Sequence, residues 1–124
     1  MRFMMMVKSV ERTGPPPKEL MEALTKLTQE AVNGGAMVSN GGLAPMAAST
    51  RVRLYGGKLT AIDGPFAETK EVVGGYAILE FKSKKEAIES ALQFMELHKI
   101  HWPGWEGETE VRQVFGPDDF PRQP

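Results

Sequence analysis

The chain opens with an apolar run that is bounded by charged residues. Residues 3–7 are all apolar, with Arg2 before them and Lys8 after them. A run of this length without polar alternation is typical of a strand that is covered on both faces. We therefore expect a central strand at the N-terminus.

Helical spacing follows from Lys18 to about Val32. Pro17 suits the first turn of a helix, where its missing N–H is not needed, and the glycines at 34 and 35 suit a left-handed cap at its end. Residues 36–43 are then expected to form a strand interrupted by glycine. The predicted apolar stripe of the helix consists of Leu20, Leu24, Leu27 and Ala31.

Two short β-type runs, 50–55 and 58–62, are separated only by Gly56 and Gly57. A Gly-Gly pair between such runs is a strong signal for a two-residue hairpin turn. The apolar residues 75–81 predict a further strand.

A second helix is predicted after Ser83, because Glu86 three positions later completes a capping-box pattern. Beyond the helix, residues 110–115 alternate as a last strand, and residues 117–124 are expected to be a poorly ordered tail. The face predicted to lie on the sheet consists of Ile88, Ala91, Leu92, Met95 and His98, with His98 at its wet end.

The order of elements predicts one α+β domain over residues 1–116. It is expected to be a ferredoxin-like split βαβ sandwich, with an inserted hairpin and two helices on one face of an antiparallel sheet. The other face of such a sheet needs cover, which two subunits stacked sheet on sheet would provide. We therefore expect a homodimer.

Composition excludes several classes of function. The formal charge is −1, so no global field favours nucleic acid or an anionic membrane, and the N-terminal apolar run is too short to span a bilayer. The absence of cysteine suits a reducing, cytoplasmic location. The glycine-rich stretches match no nucleotide-binding pattern, so no cofactor is expected.

The stretch DGPFAETKE at 63–71, followed by a glycine pair and an aromatic residue, closely resembles the DGPF branch of the YCII-related family. The similarity extends to Thr50, Arg53, the strand GGYAILE and the triplet EVR at 110–112. It implies a ferredoxin-like domain of the dimeric α+β barrel type. That superfamily includes isomerases, small monooxygenases and ligand-sensing modules, so the resemblance leaves function open.

The resemblance has two further implications. Some family members are encoded near sigma factors, and YCII relatives carry a His and Asp pair proposed as an active site. This sequence departs from the usual DGPF pattern at Arg51, and its insert HKIHWPGWEG at 98–107 resembles only a subset of relatives.

Asp63 has two interpretations. At the end of an apolar run it can accept backbone N–H bonds from Gly64 and Phe66 in an Asx-type turn, or it can act as a general base at the mouth of a cleft. Arg53 and Arg112 also have two: each pairs with Asp63 or Glu71, or holds an anionic ligand.

The alternating charges of Glu68, Lys70 and Glu71 are either solvated or placed at a ligand site or a dimer seam. Of the three, Lys70 is the preferred candidate for binding a ligand or for an ion pair across a dimer seam. The candidate ligand-binding residues are therefore Thr50, Arg53, Lys70, Glu71 and Arg112.

The two histidines, His98 and His101, lie near a helix end. His98 is a candidate acid or base, although capping of the helix is the competing interpretation. Two histidines supply too few ligands for a zinc site, so no metal is expected. Trp102 and Trp105 are expected to fill the insert or a subunit interface.

The leading hypothesis is a cytoplasmic homodimer that binds a small anionic organic molecule. The alternatives are a cofactor-free isomerase or lyase, in which Asp63 or His98 moves a proton, and an interaction protein linked to sigma-factor control.

Overall fold

A computed structural model describes residues 1–11, 14–66 and 71–120. Short 3-10 turns occur at Met46–Ala48 and Pro117–Asp119. The two helices are α1 (Lys18–Asn33) and α2 (Lys84–His101), and the strands are β1 (Arg2–Ser9), β2 (Met37–Gly42), β3 (Thr50–Tyr55), β4 (Lys58–Asp63), β5 (Val72–Glu80) and β6 (Glu108–Val114).

Four of the strands form an antiparallel sheet in the order β2-β5-β1-β6. β1 lies inside this sheet, where Met5 pairs with Ala77 of β5 and with Val111 of β6. The predicted central position of the N-terminal strand is confirmed. A register shift between Val7 and Lys8 marks a bulge in its pairing with β5.

The core lies between one face of this sheet and the helices. Phe3, Met5 and Leu79 of the sheet pack with Ala87 and Ala91 of α2. Because side chains alternate across a strand, Met4 and Met6 lie on the opposite face of the sheet. The mixed α+β class is therefore confirmed, with the sheet residues of the core on one face.

The predicted sheet-facing stripe of α2 is correct at Ala91 and His98 and wrong at Ile88 and Leu92. Ala87 and Ala91 are buried, whereas Ile88 and Leu92 are exposed. The small alanine side chains allow the helix to approach the strands closely, and the bulkier residues are left at the margin of the contact. His98 does continue the buried face, but it is itself buried rather than at a wet end.

The helix ends follow the predictions with small shifts. Pro17 is the residue before α1 rather than its first residue, and its carbonyl accepts the Met21 N–H at 3.1 Å. Gly35 has the positive φ of 77° after α1. At the start of α2, Ser83 Oγ accepts the Glu86 N–H at 3.2 Å, as predicted. The Glu86 carboxylate accepts from the N–H of residue 82.

The predicted Gly-Gly hairpin is confirmed. β3 and β4 pair directly, and Gly56 and Gly57 have φ of 57° and 75°, which a type I′ turn requires. Among the described residues, this hairpin makes no extended contact with another helix or strand. Several strand boundaries differ from the predictions: β4 reaches Asp63, β5 begins at Val72 rather than Gly75, and β6 begins at Glu108 rather than Glu110.

Candidate functional site

A cleft of about 510 Å³ lies at the C-terminal end of α2. It is formed by the last turns of that helix, the loop that leads to β6, and one residue before β5. Its described lining consists of Glu71, Met95, His98, Lys99, Trp102, Gly104, Trp105, Glu106, Gly107 and Glu108.

The loop after α2 folds back on the helix because of two glycines. Gly104 takes a positive φ of 86°, which lets the chain turn so that the Trp105 N–H bonds to the Trp102 carbonyl at 3.0 Å. At Gly107, a Cβ would lie 2.5 Å from the Trp105 ring and 2.7 Å from the backbone oxygen of Lys8. Gly107 therefore allows the loop to lie directly against β1.

Four aromatic rings form a continuous series, and three of them, His98, Trp102 and Trp105, line the cleft. Phe94 and His98 have ring centroids 4.7 Å apart, and His98 and Trp105 are 4.5 Å apart. Trp105 also stacks with Trp102 at 6.1 Å and an interplanar angle of 26°. The prediction that these tryptophans fill the insert describes part of what they do, because they also line the cleft.

His98 lies between Phe94 and Trp105 and is only 6% exposed. Its Nδ1 lies 3.0 Å from the Phe94 carbonyl, which can only accept, so Nδ1 carries the proton and Nε2 is a free acceptor. Burial lowers the pKa of His98, against a smaller opposing effect of this hydrogen bond. The imidazole is therefore neutral at pH 7.

The structure places Asp63 away from this cleft, on the hairpin. Its Oδ1 accepts a hydrogen bond from Thr50 Oγ1 at 2.7 Å, across the paired strands β3 and β4. The Gly64 N–H donates to the Ser49 carbonyl at 2.8 Å, and is thus not the Asp63 partner that an Asx-type turn needs. Asp63 and His98, the two predicted catalytic residues, do not share the described lining.

Gly64 has a structural reason for its place in the DGPF stretch. A Cβ at this position would lie 2.1 Å from the Met46 carbonyl oxygen and 3.1 Å from Ser49 Oγ. Only glycine allows the two loops to lie so close together. This part of the motif holds the base of the hairpin.

The arginines have partners that the sequence did not indicate. Arg112 forms an ion pair with Glu110, two residues earlier on β6, and Lys8 Nζ also lies 2.6 Å from Glu110 Oε1. Arg53 lies over the ring of Tyr55, with 5.7 Å from its guanidinium carbon to the ring centroid. The i, i+2 spacing on a strand was the available signal for the Glu110–Arg112 pair.

Of the predicted ligand-binding residues that the structure describes, Glu71 is the one that lines the cleft with His98. Lys70 and Glu68 lie outside the described residues. Sequence reasoning missed the acidic residues Glu106 and Glu108 and the cation Lys99. The density of aromatic and acidic residues in HWPGWEGE, residues 101–108, was the signal for the two glutamates.

The YCII-related domain matches residues 1–94. The chain belongs to the YCII-related family. This YCII-related chain is also 31% identical over 106 residues to an uncharacterized protein of Rhizobium meliloti (strain 1021), across 84% of this chain and 82% of that one. Apart from Glu71, the described residues that line the cleft lie beyond the family match.

Two further findings concern the described part of this YCII-related chain. Its helices are too short or too polar to cross a bilayer. Its His, Asp and Glu side chains form no group of three or more that is placed to hold a metal ion.

Proposed function

We propose that this YCII-related chain is a small-molecule-binding domain and that its ligand occupies the cleft beside His98. The observation that carries the proposal is the buried neutral imidazole, whose Nε2 has no hydrogen-bond partner among the described residues and which lines a cleft walled by two tryptophans. A concave aromatic surface with a few polar groups is the usual form of a ligand site. A volume of about 510 Å³ suits a small organic molecule.

The test is a ligand screen by NMR that observes the indole N–H signals of both tryptophans and the His98 ring. Compounds that bind are expected to shift these signals and to lose affinity for Trp102→Leu. Phe115→Leu is the matched control, because Phe115 is an aromatic residue outside the described lining. Ligands that bind both variants equally well would place the site elsewhere.

We also propose that the chain works as a cytoplasmic homodimer of the dimeric α+β barrel type, in the DGPF branch. The sheet order β2-β5-β1-β6 with helices on one face supports a ferredoxin-like arrangement. The opposite face carries Met4 beside Ile78 and Met6 beside Tyr76, an apolar patch that borders the Glu110–Arg112 ion pair and is suited to a second copy.

The hairpin gives a second reason to propose a dimer. Val52 and Leu59 lie on one face of it and are 75% and 72% exposed. Such a surface on an isolated chain is characteristic of an interface.

Sedimentation velocity is expected to show a dimer that Met6→Lys dissociates. Met21→Lys, on the outer side of α1, is expected to leave it intact, and a monomeric wild type would overturn the proposal.

The anionic ligand predicted from sequence is a separate proposal that depends on Arg53 and Arg112. Neither arginine is in the described lining of the cleft. An anion held by them would bind at the hairpin or on the sheet face of β6. Loss of an anion's binding in Arg112→Gln, with the cleft signals unchanged, is the outcome that this proposal requires.

A cofactor-free isomerase or lyase is the second candidate function, and one observation favours it. A neutral His98 with an unprotonated Nε2 has the protonation state of a general base, and Glu71 is a carboxylate in the same cleft. With a substrate in hand, His98→Gln is expected to abolish turnover and retain binding. Unchanged turnover would exclude His98 from the chemistry.

A further inference from the structure

The charged side chains among the described lining residues of the cleft are mostly negative. Three carboxylates, Glu71, Glu106 and Glu108, line it, against the single ammonium of Lys99 among the described lining residues. An isolated acidic cluster would carry little information, because exposed carboxylates are usually solvated. Here the carboxylates lie beside two tryptophan rings and the acceptor nitrogen of His98.

The walls of the cleft are aromatic. Trp102 and Trp105 are stacked, and tryptophan attracts a cation to its ring face more strongly than tyrosine or phenylalanine does. Carboxylates beside tryptophan rings suit an organic ammonium ion, which combines a positive charge with an apolar part. An anionic ligand would meet repulsion from the carboxylates.

The remaining polar group of the cleft is an acceptor. The Nδ1–H of His98 is turned back to the helix backbone at Phe94, which leaves Nε2 as the ring nitrogen that a ligand can reach. The side chain is more than nine-tenths buried, and no described residue donates a hydrogen bond to Nε2. Because His98 lines the cleft, Nε2 can accept a hydrogen bond from an N–H of a ligand there.

We propose that the cleft binds a primary or secondary organic ammonium ion, with its charge among Glu71, Glu106 and Glu108, its apolar part against Trp102 and Trp105, and an N–H directed at His98 Nε2. This assignment rests on the proposed small-molecule function and names the ligand class of the same site. It differs from the anionic ligand predicted from the arginines, which belongs to another surface.

Three probes of similar shape test the assignment at pH 7.5: phenethylammonium, the neutral 2-phenylethanol and the anion phenylacetate. Isothermal titration calorimetry is expected to show phenethylammonium binding at least about tenfold more tightly than 2-phenylethanol, from cation–π attraction and the carboxylates together. Phenylacetate is expected to bind most weakly. Benzyltrimethylammonium, which has no N–H, is expected to bind several-fold more weakly than phenethylammonium because it cannot donate to His98.

Charge-removing variants locate the binding. Glu106→Gln and Glu108→Gln are each expected to weaken the binding of phenethylammonium by about two- to fivefold at low salt, which is the range for single exposed charges. Glu96→Gln is the matched control, since Glu96 is an exposed residue of α2 outside the described lining. All three positions are exposed or at the margin of the fold, so each variant should remain folded.

The outcomes separate this inference from the proposed function. If phenylacetate shifts the tryptophan and His98 signals and phenethylammonium does not, the cation assignment is overturned and small-molecule binding stands. If phenethylammonium binds equally well to the Glu106, Glu108 and Glu96 variants, the assignment is also overturned, because the charge then lies elsewhere. If none of the four probes moves the cleft signals at millimolar concentration, both proposals are overturned.

Discussion

The helix-covered face of the sheet and the β3–β4 hairpin use similar apolar residues in opposite ways. Phe3 of the core is 2% exposed, while Val52 of the hairpin is 75% exposed. Both lie in strands with ordinary β-type sequences. The difference is that α2 supplies Ala87 and Ala91 to cover Phe3, and no described element covers the hairpin.

Burial within the isolated chain therefore explains only some of the apolar residues in the sequence. The core residues have a stabilising role that the fold itself explains. The hairpin residues Val52, Leu54 and Leu59 contribute little to the stability of the monomer through burial, since most of each side chain is exposed. The proposed dimer would give these apolar side chains a surface to pack on.

The sharpest test of the comparison is a pair of truncations. Phe3→Ala is expected to lower the free energy of unfolding by about 3–5 kcal/mol, because it leaves a cavity in the core. Leu59→Ala is expected to change it by less than about 0.5 kcal/mol at concentrations where the chain is monomeric. Urea denaturation measures both. Equal losses in the two variants at high dilution would show that the hairpin is packed within its own chain.

A second test concerns the base of the hairpin. Gly64→Ala is expected to cost about 1–3 kcal/mol, since the new Cβ would overlap the Met46 carbonyl and force a backbone shift. Gly74→Ala is the control, because a Cβ there meets nothing within 4 Å. Thermal unfolding of the two variants compares them. A stable Gly64→Ala protein would mean that the hairpin base can move without consequence for the rest of the fold.

Local signals explain which features could be predicted from the sequence. The Gly-Gly turn, the Ser83 cap and the stripe that begins at Leu20 each depend on residues close together in the chain, and all are present. The cleft depends on tertiary contact, because Glu71 approaches a loop more than thirty residues away. No spacing rule contains that information.

The errors in prediction have physical reasons as well. Ala87 and Ile88 are both apolar, and only close approach to the strands decides that the alanine faces the sheet. The sequence leaves Arg112 either paired with Asp63 or Glu71 or holding an anionic ligand, and the structure shows an ion pair with its strand neighbour Glu110. In both cases the sequence left two alternatives open, and distances between neighbouring elements in the fold decided between them.

A third prediction concerns the pH dependence of stability that His98 in the cleft contributes and that the hairpin does not. Because burial lowers its pKa from the ordinary 6.5, the unfolded chain binds this proton more readily than the folded chain. Stability from this group is full above pH 6.5 and is lost as the pH falls below it. The slope is at most about 1.4 kcal/mol per pH unit, the limit for one proton.

Urea denaturation between pH 5 and 7.5 measures that slope, with His98→Gln as the variant expected to remove it. The other charges of the cleft, Glu71, Glu106, Glu108 and Lys99, are present in both proteins. Stability that rises as the pH falls below 6.5 would show that the carboxylates stabilise the imidazolium more than burial destabilises it.

The smallest expected effect belongs to the ion pairs on the outer face of the sheet. The hydrogen bond from Lys8 is the main cause that lowers the pKa of Glu110 from 4.5, and the nearby charge of Arg112 acts in the same direction. The stability that this pair contributes is therefore present above pH 4.5 and lost as the pH falls through the folded pKa. A double-mutant cycle of Lys8→Met and Glu110→Gln is expected to give a small coupling at pH 7 that decreases as the pH is lowered below 4.5. A coupling that stays constant down to the lowest pH at which the protein is folded would assign the contact to packing of the side-chain stems, and a coupling at pH 7 that grows with protein concentration would place the pair inside the proposed dimer interface.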